Sequence, residues 1–351
     1  MKNQFRNFLF IPLYLFSIQS MAQKATMNPG ILPLTSDGRT SIRGLSVPDD
    51  KTVWISGSSG KVARSIDAGV TWQWMTVAGY EKKDFRDIEA FDGNTAIIMA
   101  VDAPAIILKT KDAGKNWYKV FEYTTKGMFL DAMDFSDDKN GVVIGDPINN
   151  KLFIAFTKDG GETWEKREKY SAIDMNKGEA FFASSGTNIK LWQDKKLSVP
   201  VFVSGGTRSR LLPAELNDTI AIVQGKESTG ANSIDVFKGK AVIVGGDFAK
   251  DGDSRDNCLL VTLGKKPQFS KPQTPPHGYR SCVIYLNGKQ LLTCGTSGVD
   301  ISGDGGNNWE LVSKDSYHVC KKSKKGSAVY LAGSRGKIAR LEWEVLATPD
   351  H

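Results

Sequence analysis

Thr110-Lys-Asp112-Ala-Gly114-Lys-Asn116-Trp117 is one of four copies of a short phrase that recurs along this chain. The other three copies begin at Ser65, Thr157 and Ser302, and we call each copy a repeated turn. Their aspartates lie 45, 47 and 145 residues apart, at Asp67, Asp112, Asp159 and Asp304. The last interval is close to three further steps of about 48 residues, and a fixed period of this size predicts a repeat architecture.

Each repeated turn has the composition of a self-contained loop. A Ser or Thr precedes the Asp by two residues, a Gly follows it by two, and a Thr or Asn stands before a Trp. The Asp accepts backbone N–H bonds in its own turn, the Gly permits an unusual backbone angle, and the Trp offers an apolar face. The phrase resembles the Asp-box of bacterial neuraminidase repeats. Sialidases carry this motif, but a turn that satisfies itself needs no substrate, so we interpret Asp67, Asp112, Asp159 and Asp304 as structural.

The composition is that of a globular, turn-rich protein. The 351 residues are 40% hydrophobic and 24% charged, with 35 glycines, which argues against disorder. Short apolar segments separated by Gly and Asn turns are typical of all-β proteins. The sequence contains no recognisable nucleic-acid-binding module.

The first 22 residues have the three regions of a secretory signal. Lys2 and Arg6 precede an apolar run, and Ser20-Met21-Ala22 supplies small residues for cleavage before Gln23. We therefore predict a signal peptide over residues 1–22, a single propeller domain over residues 23–351, and a periplasmic or secreted location. Loss of Lys2 and Arg6 lowers the formal net charge from +7 to +5. No later stretch is suited to span a bilayer, so we expect no transmembrane anchor.

The four cysteines leave the redox state open. Cys258, Cys282, Cys294 and Cys320 form up to two disulfides, with three possible connectivities, if the protein is exported. Each also lies in an apolar context that suits a buried free thiol. The spacing does not match a zinc site, and no G-x-G-x-x-G follows a strand, so we predict neither a metal nor a cofactor.

Seven similar openings divide the chain into blades. They are residues 42–47, 85–91, 129–135, 178–182, 232–237, 279–283 and 317–320. An apolar strand that ends in small residues follows each opening, as in residues 142–145. We predict an all-β, seven-bladed β-propeller of four-stranded antiparallel blades. The seventh blade is short of its outermost strand, and we expect residues 31–34 to pair with it, which closes the ring and removes two exposed sheet edges.

The recurring unit resembles that of the photosystem II stability and assembly factor family of seven-bladed propellers. It consists of an apolar strand, a Gly, a short loop, a strand and Asp-x-Gly-x-Thr-Trp, and it covers nearly all of the chain after residue 22. The resemblance implies that the first strand of each blade lines a central channel and begins at the mouth where ligands bind. The residues predicted at these positions, which we call the predicted ring, are Arg43, Arg86, Asp131, Glu179, Ser233, Arg280 and His318.

The charges of the predicted ring are segregated. Arg280, His318, Arg43 and Arg86 come from consecutive blades and form a cationic arc, whereas Asp131 and Glu179 face them from blades 3 and 4. Converging guanidinium groups suit a carboxylate, sulfate or phosphate. The alternative is an internal network of ion pairs that plugs the channel.

Three functions remain open on the sequence alone. The first is an exported, assembly-factor-like propeller that binds an anionic or mixed-charge ligand or protein segment at its channel mouth. The second is a carbohydrate-active enzyme, sialidase-like or another glycoside hydrolase or lyase, which acts on an acidic sugar. Its candidate catalytic residues are Asp131, Glu179, Tyr279 and His318, although the Arg-Ile-Pro signature of sialidases is missing. The third is a passive scaffold.

Overall fold

The strands of the described residues form seven antiparallel sheets. The computed structural model describes residues 27–194, 197–212 and 219–345. The innermost strands of neighbouring sheets contact one another all the way round. The predicted seven-bladed β-propeller is therefore confirmed. The predicted signal peptide, residues 1–22, lies outside the described residues.

The first three blades are regular. Strand β1 spans Met27–Thr35 and is followed by blades 1, 2 and 3, each of four strands. Blade 1 contains β2 (Ile42–Ser46), β3 (Val53–Gly57), β4 (Lys61–Ser65) and β5 (Gln73–Thr76). Blade 2 contains β6 (Phe85–Ala90), β7 (Ala96–Ala100), β8 (Ala105–Thr110) and β9 (Tyr118–Tyr123). Blade 3 contains β10 (Leu130–Phe135), β11 (Gly141–Ile148), β12 (Lys151–Thr157) and β13 (Glu165–Lys166). A short helix, α1 (Glu168–Ser171), follows blade 3.

The middle of the chain is less regular. It forms β14 (Glu179–Ala180), β15 (Ile189–Asp194), β16 (Leu197–Val203), β17 (Gly205–Gly206) and β18 (Leu211–Leu212). Among the described residues, blade 4 consists of β15, β16 and β18. Strands β14 and β17 instead extend the sheet of blade 5, whose own strands are β19 (Thr229–Phe237), β20 (Lys240–Asp247), β21 (Cys258–Thr262) and β22 (Gln268–Ser270).

The last two blades complete the circle. Blade 6 contains β23 (Cys282–Tyr285), β24 (Leu291–Gly295), β25 (Gly298–Ser302) and β26 (Glu310–Ser313). Blade 7 contains β27 (Val319–Lys322), β28 (Val329–Ala332) and β29 (Ile338–Val345), with a 3-10 turn at Ser334–Gly336. In the described part of the chain, no helix has the length and apolar character that crossing a membrane requires.

The core lies between the blades. The two middle strands of blade 2, β7 and β8, are buried at every residue because a neighbouring blade packs on each face. Such strands appear in the sequence as continuous apolar runs. The outer strand β5 has no fully buried residue and is more polar.

The ring closes through the N-terminal strand. β1 pairs with β29 as the outermost strand of blade 7, with Ile31 opposite Leu341 and Pro33 opposite Ala339. Ile31 and Leu34 pack against the core between blades 1, 6 and 7. The predicted pairing of residues 31–34 with blade 7 is thus confirmed.

The repeated turns join the third and fourth strands of blades 1, 2, 3 and 6. In blade 1, Asp67 Oδ1 accepts hydrogen bonds from the Thr71 backbone N–H (2.9 Å) and the Ser65 hydroxyl (2.8 Å). Trp72 Nε1 donates to the Gly69 carbonyl oxygen (3.0 Å). Hydrogen bonds, the one from the Thr71 side chain foremost, lower the pKa of Asp67 to about 2. The other three turns repeat these bonds at 2.8–3.2 Å.

The predicted opening of blade 4 is wrong. Residues 178–182 were assigned to its innermost strand, but β15 occupies that place because it contacts β10 and β19, the innermost strands of the adjacent blades. Glu179 and Ala180 instead pair with Gly206 and Gly205. The chain between β14 and β15 therefore forms a loop at the channel mouth, and residues 178–182 do not form the predicted innermost strand of blade 4.

Candidate functional site

A cavity of about 450 Å³ opens at the channel mouth, where the innermost strands begin. Its polar lining residues are Arg43, Arg86, Ser184, Asn232, Ser281, Thr296 and His318. Its apolar and aromatic lining residues are Phe129, Phe181, Phe182, Ala183, Phe248 and Tyr279. The repeated turns lie at the other end of the blades, because antiparallel strands place the first-strand starts and the third-strand ends on opposite sides.

Arg43 is the cation with the fewest partners in this cavity. Its Nη1 donates to the Ser184 carbonyl oxygen (3.2 Å). Among the described residues, no carboxylate forms an ion pair with it within 4.0 Å. Burial, and after it the positive charge of Arg86, lowers the pKa of the Arg43 guanidinium. An anion bound beside Arg43 offsets both effects, because a nearby opposite charge favours the charged guanidinium.

Arg86 is held in place by its neighbours. Its Nε lies 2.8 Å from Asp84 Oδ2, and its guanidinium lies 5.6 Å from the centre of the Phe129 ring. The side chains of Arg86 and Asp84 are each 29% exposed. The pair therefore presents a partly neutralised, oriented guanidinium beside Arg43.

His318 is a neutral member of the site at pH 7. Its Nδ1 lies 2.8 Å from the Ile42 carbonyl oxygen, which assigns the proton to Nδ1 because the carbonyl only accepts. Burial, followed by the charge of Arg43, lowers the pKa of His318 to about 4. Nε2 of the neutral ring is then a hydrogen-bond acceptor.

A buried polar network fixes the wall contributed by blades 4, 5 and 6. The Asn232 side-chain oxygen accepts hydrogen bonds from the Tyr279 hydroxyl (2.8 Å) and the Ser184 hydroxyl (3.1 Å). Its side-chain nitrogen donates to the Gly230 carbonyl oxygen (3.1 Å). Burial raises the pKa of Tyr279 to about 12, so this hydroxyl is a hydrogen-bond donor and not an ionised nucleophile at pH 7.

An aromatic row forms the apolar side of the cavity. The rings of Phe182 and Phe248 meet edge to face with centroids 6.1 Å apart, and Phe248 meets Tyr279 in the same way at 6.3 Å. Phe248 is 51% exposed, one of the largest exposed apolar side chains in the described part of the protein. Such a surface beside two arginines suits a ligand that is part apolar and part anionic.

Arg280 lies outside this cavity. Its backbone N–H donates to the Gly245 carbonyl oxygen (2.9 Å), as Tyr317 N–H donates to Gly295 one blade later. Arg280 thus corresponds to Tyr317, and Ser281 corresponds to His318. The predicted alignment of blade 6 is one residue out of register, and a one-residue slip reverses the direction of every side chain.

The side chain of Arg280 is fully occupied elsewhere. Its Nε donates to Asp300 Oδ2 (2.6 Å), and its Nη1 donates to the Tyr279 carbonyl oxygen and to the Ser297 hydroxyl. Arg280 and Asp300 are both completely buried. The cavity therefore brings together two of the three predicted arginines.

Three further members of the predicted ring are buried in the protein. Glu179 makes a two-point ion pair with Arg210, at 2.7 Å and 2.9 Å. The Ser233 hydroxyl lies 2.7 Å from that of Thr187 and accepts the Val283 N–H. Asp131 is completely buried, and burial with the charge of Asp146 raises its pKa well above the usual range. None of these three side chains lines the cavity.

Of the aromatic row, the sequence pointed to Tyr279 alone, as a candidate catalytic residue. Phe181 and Phe182 were assigned to a strand, and Phe248 directly follows Asp247 in a loop between second and third strands. The signal lies in three dimensions, because aromatic residues from separate loops form a contiguous apolar patch only once the ring has closed.

Potential metal ligands do not gather in the cavity. Among the described residues, three side chains that are able to ligate a metal converge only at Cys282, Cys294 and Cys320. These thiols are completely buried and do not line the cavity. All four cysteines are reduced in the structure.

The known proteins that this chain resembles support the propeller fold. Residues 34–126, about a quarter of the chain, match a family model described as photosynthesis system II assembly factor YCF48. A solved structure of YCF48 bound to a D1 peptide is 16% identical, with a TM-score of 0.59 over 90% of this chain and 96% of that chain. YCF48 from Cyanidioschyzon merolae is 15% identical, with a TM-score of 0.58 over 90% of this chain and 98% of that one.

A WD40 domain from another protein is almost as similar in shape. The Neurospora crassa Pan2 WD40 domain is 10% identical, with a TM-score of 0.57 over 88% of this chain and 90% of that chain. At these identities the structural likeness shows the fold alone. No curated protein matches the sequence. The family model and the two similar YCF48 structures together confirm the predicted resemblance.

Proposed function

We propose that this photosystem II assembly factor-like propeller holds an extended segment of another protein in its channel-mouth cavity. An acidic group of the segment contacts Arg43 and Arg86, and an adjoining apolar side chain packs on Phe182 and Phe248. Binding by this means needs no chemical turnover.

The state of Arg43 is the observation that carries the proposal. A half-buried guanidinium beside a second cation, with a single carbonyl partner, is costly in the unliganded protein. A carboxylate accepts two parallel N–H bonds from such a group. This arrangement, which lines an open cavity, favours a ligand that supplies the missing negative charge.

The aromatic row narrows the class of ligand. A small inorganic anion leaves Phe182, Phe248 and Phe129 unused, whereas a peptide offers an acidic group and apolar side chains on one chain. A cavity of about 450 Å³ accommodates a few side chains. The similar YCF48 structure that is bound to a D1 peptide supports a protein segment as the class of ligand.

The carbohydrate alternative has less support. Glycoside hydrolysis uses paired carboxyl groups or a tyrosine with a carboxylate partner. None of the described residues that line the cavity is Asp or Glu. The Tyr279 hydroxyl contacts the Asn232 amide and not a carboxylate. Asp131 and Glu179, the candidate acids, are buried away from the cavity.

We also propose export to the periplasm or beyond the cell, on the strength of the charged, apolar and small-residue regions within residues 1–22. Expression of the full chain in a bacterium, followed by intact mass measurement, is expected to give a product that begins at Gln23. A product that retains Met1 in the cytoplasm contradicts this proposal and leaves the binding proposal untouched.

Peptide selection tests the binding proposal. A library of random peptides is selected on the purified protein, and affinities are measured by fluorescence anisotropy for the wild type, Arg43→Gln, Phe248→Ala and Arg39→Gln. We expect selected peptides to combine an acidic group with an apolar side chain. Arg43→Gln and Phe248→Ala should each weaken binding by about tenfold or more.

Arg39→Gln is the matched control, because Arg39 is exposed and does not line the cavity. It should leave the affinity unchanged. Equal affinity of the selected peptides for the wild type and Arg43→Gln contradicts the proposal. A thermal shift with sialic acid or uronic acids, in the absence of peptide binding, favours the carbohydrate alternative.

A further inference from the structure

Three of the four cysteines meet where blade 6 packs on blade 7. Cys282 lies on β23, Cys294 lies opposite it on β24, and Cys320 lies on β27. Their sulfur atoms all lie within 4.8 Å of one another, and none of the three side chains is exposed. We call these residues the thiol cluster; Cys258, on β21, is not part of it.

Cys282 and Cys320 are in direct contact. Their sulfur atoms lie 3.6 Å apart, and the Cys320 backbone N–H donates to the Cys282 sulfur at 3.4 Å. Burial opposes ionisation of Cys282, but hydrogen bonds from Cys294 and Cys320 and the charge of Lys321 hold the pKa of this thiol well below its ordinary value. Cys282 is therefore the thiol best placed to act as a nucleophile.

The surroundings of the thiol cluster favour a product without charge. It is part of the apolar core that includes Leu292, Val319 and Leu331. A divalent metal held by three thiolates leaves a net negative charge in this core, which is costly unless other groups compensate it. A disulfide and one remaining thiol are neutral and keep the apolar packing.

We propose that Cys282 and Cys320 form a disulfide that joins the innermost strands of blades 6 and 7. With oxidised glutathione as oxidant, Cys320 first forms a mixed disulfide and one glutathione thiol leaves. The Cys282 thiolate then attacks the Cys320 sulfur and releases the second glutathione thiol. Two protons and two electrons pass from the protein to glutathione, and Cys294 stays a thiol.

Burial sets the time of this reaction. Because no sulfur atom of the thiol cluster is accessible in the folded ring, oxidised glutathione has to react with Cys320 while the chain folds, and Cys282 then attacks as blade 7 docks on blade 6. The disulfide then links blade 6 to blade 7, the blade that β1 completes. This inference does not depend on the proposed ligand, since any thiol oxidant present during folding is sufficient.

Peptide mapping tests the disulfide directly. The protein is refolded with oxidised and reduced glutathione, or with excess reductant, and is then alkylated in denaturant and digested with trypsin. The four cysteines fall in separate tryptic peptides, residues 256–265, 281–289, 290–314 and 315–321. We expect peptide 281–289 to be linked to peptide 315–321 after oxidative refolding, with Cys258 and Cys294 alkylated. Four alkylated cysteines, or a link to peptide 290–314, overturn the proposal.

A stability measurement separates the disulfide from a metal site. The oxidised wild type should melt on the order of 5 °C above the reduced protein. Cys294→Ala and Cys258→Ala should keep this difference, and Cys320→Ala should abolish it. Elemental analysis that finds one bound zinc or copper per chain, with Cys282, Cys294 and Cys320 protected from alkylation until chelation, also overturns the proposal.

Discussion

Arg43 and Arg86 lie in the same cavity, but only Arg86 has a carboxylate partner among the described residues. Arg86 is paired with Asp84 and rests against Phe129, so its charge is part of the structure. In the described part of the chain, Arg43 donates to the Ser184 carbonyl oxygen but forms no ion pair, and the charge of Arg86 opposes its own. At the scale of residues, the site therefore combines one fixed guanidinium with one that the fold tolerates at a cost.

Replacement of these two arginines should have opposite effects on stability. Arg43→Met is expected to raise the free energy of unfolding by about 0.5–1 kcal/mol, because it removes a poorly compensated buried charge. Arg86→Met is expected to lower it by about 1 kcal/mol, because Asp84 loses its partner. Urea unfolding measures both variants, and a decrease of similar size in both contradicts this assignment of roles.

His318 should make the free energy of unfolding sensitive to acid. Its pKa is about 4 in the folded state and about 6.5 in an unfolded chain. The folded state therefore binds fewer protons below pH 6.5, and stability falls as the pH falls from about 6.5 to about 4. His318→Gln, which does not titrate, should lose roughly 2–3 kcal/mol less than the wild type between pH 7 and pH 4.5. Parallel stability curves for the two proteins contradict this.

The repeated turns act between blades as well as within them. Gly161 of blade 3 has no room for a side chain, because an added Cβ lies 2.3 Å from Ile97 Cδ1 in blade 2. Gly114 of blade 2 lies in the same way beside Met75 of blade 1. At the scale of elements, each of these turns closes its own hairpin and seats it on the preceding blade.

A matched pair of glycines separates these two effects. Gly161 and Gly127 have similar positive φ angles, +81° and +85°, but an added Cβ at Gly127 meets nothing within 4 Å. Gly127→Ala should cost about 1 kcal/mol from backbone strain alone. Gly161→Ala should cost about 2–3 kcal/mol, since contact with Ile97 is added. Equal losses in thermal or urea unfolding show that the turn does not bear on the neighbouring blade.

At the scale of the whole molecule, the feature that closes the ring is the pairing of the N-terminal strand with the last blade. β1 supplies the last strand of blade 7 and covers the edge of β29. Pro29 and Pro33 lie in β1, on the outermost strand of the blade. Proline is tolerated at such an edge and blocks pairing with another chain.

Removal of residues 27–35 should open the circle. We expect the melting temperature of the truncated protein to be lower by about 10 °C or more. Because β29 becomes an exposed edge, we also expect oligomers, which size-exclusion chromatography detects. A synthetic peptide of residues 27–35 should restore the monomer, whereas a peptide of the same composition in scrambled order should not. An unchanged melting temperature contradicts a closing role for β1.

The sequence predicted the ring better than the site. The spacing of the repeated turns and the unassigned apolar residues 31–34 were enough for the seven blades and their closure, because both depend on patterns that extend over the whole chain. Alignment within a blade depends on single bulges such as that at Arg43. One residue of slip in blade 6 was enough to misplace Arg280, and an irregular blade 4 misplaced Glu179.

The pairing of β1 with β29 also sets the order in which the chain is able to mature. About 300 residues separate the two strands, which corresponds to roughly 15–60 s of ribosomal synthesis. During that interval β1 has no partner strand, and the ring of the nascent chain is incomplete. A chaperone that binds nascent β1 would therefore act while this strand is unpaired and able to pair with another chain.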